Sequence, residues 1–352
     1  MLLIVAHHYV VNSGLIQAIA EAPLTASSAV MTIFGAWGKI GINCFVLITG
    51  YFMCKSSFSS RKLVKLYLQI LFYTLVIYGI FCITGHETFS PLQTLYKIFP
   101  IKNLTNGFSS CFLVFYLFIP FLNLFLKHLN KRHHTYLVIL LITLYSIVPN
   151  IPFITFSFNY VEWFIALYFI ASWLRFYGNE LKISHRKWGY FALISIILSC
   201  LSILSLLYLK HSGKVGAFIP YHFVMDSNQI LALVTGITSF MWFKDLKMRY
   251  YPLINTIGAT TFGILLIHAN SDAMRQWLWN DTIDVVGNFQ SEILPTLGYA
   301  LISVFIIFFI CSFIDWLRTI LVEPHILKFA DRVINFLRFR GKYNIDDNLV
   351  KD

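Results

Sequence analysis

Charge is what this chain has least of. Only 12% of its 352 residues are Asp, Glu, Lys or Arg, about half the share of a typical soluble domain. So little charge cannot clothe a water-facing surface, and the mean hydropathy of +0.70 agrees. No stretch is polar enough to form a soluble domain of its own. Other absences narrow the chemistry. There is no glycine-rich phosphate loop, no His-Glu-x-x-His, no Gly-x-Ser-x-Gly and no acidic pair of the glycosyltransferase kind. The six cysteines (Cys44, Cys54, Cys82, Cys111, Cys200 and Cys311) make no Cys-x-x-Cys and no Cys/His cluster. Neither a metal site nor a disulfide framework is expected, and the thiols read as small buried hydrophobes. The start lacks a basic segment followed by a small-residue cleavage site, so no cleavable signal peptide is expected.

What the chain has in abundance is apolar sequence, 58% of its residues. The fold class that follows is all-α, a polytopic transmembrane helical bundle. Apolar runs mark about ten spans, at 1–12, 28–54, 63–84, 108–126, 135–149, 159–177, 189–208, 228–243, 253–271 and 293–317. The first is incomplete, because about 20 apolar residues are needed to cross a hydrocarbon core of roughly 30 Å. Residues 1–322 then form one membrane domain, and 323–352 a basic tail. Within that tail, 324–340 spaces apolar residues at helical intervals among Lys328, Arg332, Arg338 and Arg340. That pattern suits an amphipathic helix lying on an anionic membrane surface. Asn344 to Asp352 reads as disordered.

The net charge of +11 would suggest nucleic acid in a soluble protein, but its placement argues otherwise. Connections 55–65, 127–134, 175–188 and 244–252 hold fourteen Lys and Arg, whereas the alternate connections hold only Lys97, Lys102, Lys210, Lys214 and Arg275. By the positive-inside rule the first set is cytoplasmic, and both termini with it. No nucleic-acid partner is implied; the bilayer is the partner.

Against this background the polar residues within apolar runs stand out, since an ionisable group at membrane depth costs about 2.5–3.5 kcal/mol on insertion scales. His7 and His8 interrupt the first run. His268 and Asn270 close another, Glu162 opens the run at 159, and Asp226 flanks the run at 228. The topology puts all of these near the outer face, with Arg275 just beyond. Lys39 lies within the second span, either snorkelling outward or paired with an acid. Together they would line a polar cavity open to the outer half. Either histidine is a candidate base. A cavity of this kind suits an enzyme or, alternatively, a polytopic transporter or flippase for glycans or lipid-linked sugars; a noncatalytic partner of a polysaccharide assembly complex is a third reading.

Several segments, in order, resemble the acyltransferase 3 family of bacterial membrane acyltransferases. That family opens with Arg, ten residues and His. Leu-Leu-Ile-Val-Ala-His-His-Tyr matches the second half, with His8 the equivalent and His7 the alternative. The arginine would precede Met1, so a start upstream is expected. Gly41-Ile-Asn-Cys-Phe-Val-Leu-Ile-Thr-Gly50-Tyr-Phe resembles the family's Gly-Val-x-x-Phe-Phe-x-x-Ser-Gly-Phe, with Thr49 replacing Ser, and Arg61 and Lys65 follow as in its basic stretch. Residues 116–123, 162–173 and 260–268 resemble later segments, although Cys111 stands where such members often carry Trp.

The resemblance implies transfer of an acyl group, usually acetyl from acetyl-CoA as co-substrate, to a hydroxyl of a cell-surface glycan or its lipid-linked precursor. No other cofactor and no metal is implied. His8 or His7 would be catalytic. Arg61, Lys62 and Lys65 would meet the acyl-CoA phosphates, and Glu162, His268, Asn270, Asp226, Lys39 and Arg275 would line the acceptor side. The expected location is a bacterial inner membrane.

Overall fold

The computed structural model describes residues 1–99, 104, 107–151, 154, 157–213 and 220–341, with side chains other than those of 333 and 336–341. Lys102, Lys214 and the tail 344–352, all weighed above, lie outside the described residues. Among the described residues there is helix and no strand. In a bilayer this is the natural outcome, because a helix satisfies its own backbone hydrogen bonds. The protein is a multi-pass helical membrane protein.

Each expected span falls on helix. The unbroken ones are Ala26–Met53, Ser60–Ile83 (α5), Phe108–His128 (α7), His185–His211 (α10) and Ile293–Leu321 (α14), five helices long and apolar enough to cross a membrane. The first of these comprises α3 (Ala26–Phe34) and α4 (Gly38–Met53), joined by a tight turn at Gly35–Trp37. Two bent pairs raise the number to at most seven, so the expected count of about ten spans is not confirmed. One pair is α1 (Leu2–Val11) with α2 (Leu15–Glu21), bent by 52°; the other is α12 (Pro252–His268) with the helical segment Asp272–Thr282, bent by 97°. The latter segment opens with α13 (Asp272–Arg275) and continues as a wide π-helical turn. The remaining runs form α8 (Lys131–Ile142), α9 (Tyr160–Tyr177) and α11 (Ile230–Lys244). These are shorter or less apolar, and α9 is wrapped by neighbouring helices along most of its length.

The two breaks change the reading of the connections. Residues 13–27 and 272–292 are not plain loops, since both contain helix. Gly14 sits at φ +80°, a left-handed conformation that glycine adopts without a Cβ clash, and it lets the chain turn between α1 and α2. Backbone carbonyls released at each break are capped by side chains. Ser13 donates its hydroxyl to Tyr9 O at 2.6 Å, and Asn270 donates its amide to Leu266 O at 2.8 Å.

Contacts gather the basic connections at one end of the bundle, called here the basic end. Lys55 lies 5.6 Å from the Phe176 ring centroid and Lys244 lies 5.9 Å from that of Tyr51. Lys131 bonds to Glu180. After α14 the chain turns into α15 (Glu323–Gly341), over the stretch expected to be an amphipathic helix. It is pinned to α5 by Lys65–Glu323 and by Arg61–Asp331 at 3.0 Å.

Apolar side chains pack into two main clusters. One joins α1, α5, α12 and α14 through residues such as Val5, Tyr73, Ile264 and Val304. The other joins α4, α7, α9 and α11 through Leu47, Phe115, Trp163 and Leu233. Glycine permits the close approach of α1 to α4. A Cβ on Gly38 would lie 2.3 Å from His7 Cγ, well inside contact distance. The seam between the clusters is where polar groups collect.

Candidate active site

A cavity of about 1100 Å³ occupies that seam. α1 contributes His7, His8 and, at its end, Asn12; α4 contributes Lys39; α5 contributes Thr74; α9 contributes Tyr160. Asp226 and Asn270 come from the segments flanking α11 and α12, and Asp272 and Arg275 from α13. Both helix breaks open onto this space. Irregular backbone at membrane depth is tolerated where it borders a wet cavity, so the breaks and the cavity explain each other.

His8 is held by a second histidine 260 positions away in sequence. Its Nδ1 lies 2.9 Å from Nε2 of His268, with the ring centroids 5.1 Å apart. His268 is fully buried, and its own Nδ1 lies 2.6 Å from the carbonyl oxygen of Ile264. A carbonyl only accepts, so His268 Nδ1 carries a proton and donates it. With both rings neutral, His268 Nε2 is then a lone pair, and His8 Nδ1–H donates to it. The remaining nitrogen of His8, Nε2, is left unprotonated. A backbone carbonyl thus sets the tautomer of two rings in succession.

His7 is placed differently. Its Nδ1 donates to Gly35 O at 2.5 Å, in the tight turn before α4, and the side chain occupies the space that a Cβ on Gly38 would need. Beside it Lys39 donates to Tyr160 Oη at 2.8 Å and stands 3.7 Å from Asp226. Arg275 donates to Asp272 at 2.7 Å. The lysine and the arginine each face an acid, so the cavity is polar without a large excess charge.

The structure brings together His7, His8, Lys39, Asp226, Asn270 and Arg275 at the cavity, with His268 directly behind His8. Glu162 is elsewhere. It is exposed at the start of α9, with Asn159 and Tyr145 as its hydrogen-bond partners. Arg61, Lys62 and Lys65 stand at the basic end and do not line the cavity; the first and third pair with Asp331 and Glu323 of α15. Among the described residues, no group of three or more His, Cys, Asp or Glu is placed to hold a metal ion.

Sequence reasoning passed over several polar residues. Tyr160, Thr74, Gln93, Lys97 and Asp272 line the cavity. Asn43 is fully buried and joins three elements, donating to Ser227 O at 2.7 Å and accepting from Trp163 Nε1 at 3.0 Å. Asp315, inside the last apolar run, and Arg318, just past it on the same helix, form a buried pair at 2.7 Å. Tyr73 adds a hydroxyl donor to Asp315 at 2.7 Å, and Arg318 continues to Glu323 at 3.0 Å. The signal for this pair was present, because charges within an apolar run are rare.

The model of the acyltransferase 3 family, described as an acyltransferase domain, matches residues 1–316. The chain belongs to that family. No curated protein and no solved structure matches it. It is a membrane acyltransferase, and the acyl donor, the acceptor and the bilayer are its partners in that general sense.

Proposed function

We propose that this acyltransferase moves an acyl group, acetyl from acetyl-CoA, onto a hydroxyl of a cell-surface polysaccharide or its lipid-linked precursor, in a bacterial inner membrane with both termini in the cytoplasm. The observation that carries the reading is the His8–His268 pair at the cavity wall, which leaves His8 Nε2 as a free base. A sugar hydroxyl is a poor nucleophile near neutral pH and needs its proton taken as it attacks. In the proposed step the acceptor oxygen bonds to the thioester carbonyl carbon, and its proton passes to His8 Nε2. The carbon–sulfur bond then breaks, and the proton held by His8 is returned to the departing CoA thiolate. Lys39 and Asp226 hold the acceptor in place. The donor comes from the basic end, where Arg61, Lys62 and Lys65 supply positive charge for its phosphates.

O-acetyl analysis of surface glycan tests this in a deletion strain complemented by wild type or by His8→Ala. Loss of acetylation on deletion, restored by wild type and not by His8→Ala, is expected. Acetylation that survives deletion in a strain without a homologue would sink the proposal.

A further inference from the structure

α6 (Pro91–Ile98) lies in what the sequence suggested was a loop between α5 and α7, and its position along α5 is informative. At its start, Ser90 N–H donates to Tyr78 Oη at 2.9 Å; at its end, Tyr67 Oη donates to Ile98 O at 2.9 Å. Tyr67 and Tyr78 are eleven residues apart on one helix, about 16 Å at 1.5 Å per residue, and an eight-residue helix measures about 12 Å. α6 therefore runs back along α5, within the depth of that span, clamped at both ends by tyrosine hydroxyls. It is too short to cross a bilayer and none of its residues is buried.

Its two sides differ. Gln93, Tyr96, Lys97 and, just past its end, Phe99 line the cavity, whereas Leu92 and Leu95 are 59% and 51% exposed and do not line it. At 100° per residue those two apolar side chains share one face, and Gln93 and Lys97 fall well round from it. At neighbouring depth α5 exposes Val76 and Ile80. The apolar face of α6 thus continues the lipid-facing surface of α5, while its other face looks onto the cavity. Lys97 is paired with Glu87 at 3.3 Å, so this wall, like the rest of the cavity, matches its cation with an acid. The space suits a neutral, hydroxyl-rich head.

We propose that α6 is a thin panel between the cavity and the acyl chains of the bilayer. On this proposal, which rests on the acyl-transfer reading above, the acceptor is an amphiphile with a sugar-like head on a hydrocarbon chain. It reaches His8 laterally past α6, and its chain stays in the lipid.

Photolabelling of the full wild-type chain in nanodiscs of phosphatidylethanolamine and phosphatidylglycerol tests this, with adducts located by peptide-resolved mass spectrometry. A phospholipid bearing a diazirine in its acyl chain should mark Leu92 or Leu95 as it marks Val76. Dodecyl glucoside bearing a diazirine on its sugar should mark Gln93 or Lys97. Methyl glucoside with the same group and concentration should mark them at least about a hundredfold less, since each methylene deepens partitioning severalfold. Lipid adducts on Val76 but none on α6, or equal marking by the two glucosides, would overturn the proposal. Labelling needs no acyl transfer. Surface acetylation indifferent to gene deletion would therefore defeat the surface-glycan reading and leave the lateral route standing, and the converse holds as well.

Discussion

Replacing His268 by Ala isolates the tautomer argument, because His268 itself stands behind the cavity wall. The substitution removes the acceptor of the His8 Nδ1–H bond of 2.9 Å. A buried donor left without a partner costs about 1–3 kcal/mol. If that cost falls on the competent orientation of His8, kcat drops about 5- to 150-fold, at 1.36 kcal/mol per factor of ten. The acceptor KM should hardly move, because the lost interaction positions the base and does not bind the sugar. His8→Ala removes the base and should cost about 10²–10⁴ in kcat. Two further variants sharpen the test. His268→Gln can offer an amide oxygen near the position of Nε2 and should recover most of the loss. The double variant His8→Ala with His268→Ala should be no worse than His8→Ala alone, since partners acting as a unit are not additive. The assay is CoA thiol release in nanodiscs, with thermal unfolding followed in parallel. Unchanged kcat in a folded His268→Ala protein, or fully additive losses in the double variant, would refute the reasoning.

Gly38→Ala should force α1 away from α4, since the new Cβ would lie 2.3 Å from His7 Cγ; a loss of about 1–3 kcal/mol is expected, seen as a lower Tm together with lower activity. Asp315→Asn removes one of the two acids that pair with the buried Arg318, leaving Glu323, a loss of about 1–3 kcal/mol. Asp315→Asn combined with Arg318→Met should be milder than the single change, as read by yield of folded protein and by Tm. Glu323, beyond the last span, is pushed up by burial, but the hydrogen bonds and charges of Lys65 and Arg318 outweigh this and hold its carboxyl below the ordinary 4.5. Its folded value is depressed, so the stabilisation is present above pH 4.5 and is lost as pH falls through the folded value. Limited proteolysis should therefore cut α15 faster once the pH has fallen through that value than at pH 6, and Glu323→Gln should reduce that difference.

Hydropathy is a local property, and what depends on it was legible in the sequence. Lipid admits helices of apolar residues and little else, so every apolar run became helix and the basic connections collected at one end. The cost of a charge at membrane depth singled out His7, His8, Lys39 and His268. Depth alone does not say which way a side chain faces. Glu162 starts its helix beside the cavity-lining Tyr160, yet it faces away, two residues round the turn. The apolar runs likewise hid the breaks after Val11 and His268, whose released carbonyls are satisfied by Ser13 and Asn270. Above all, tertiary packing decided what His8 is. Its identity as a candidate base came from the residues around it in the chain; its partner, its tautomer and its open nitrogen come from α12 crossing behind α1. That approach is made within one apolar cluster by segments some 260 residues apart, and no short stretch of sequence encodes it.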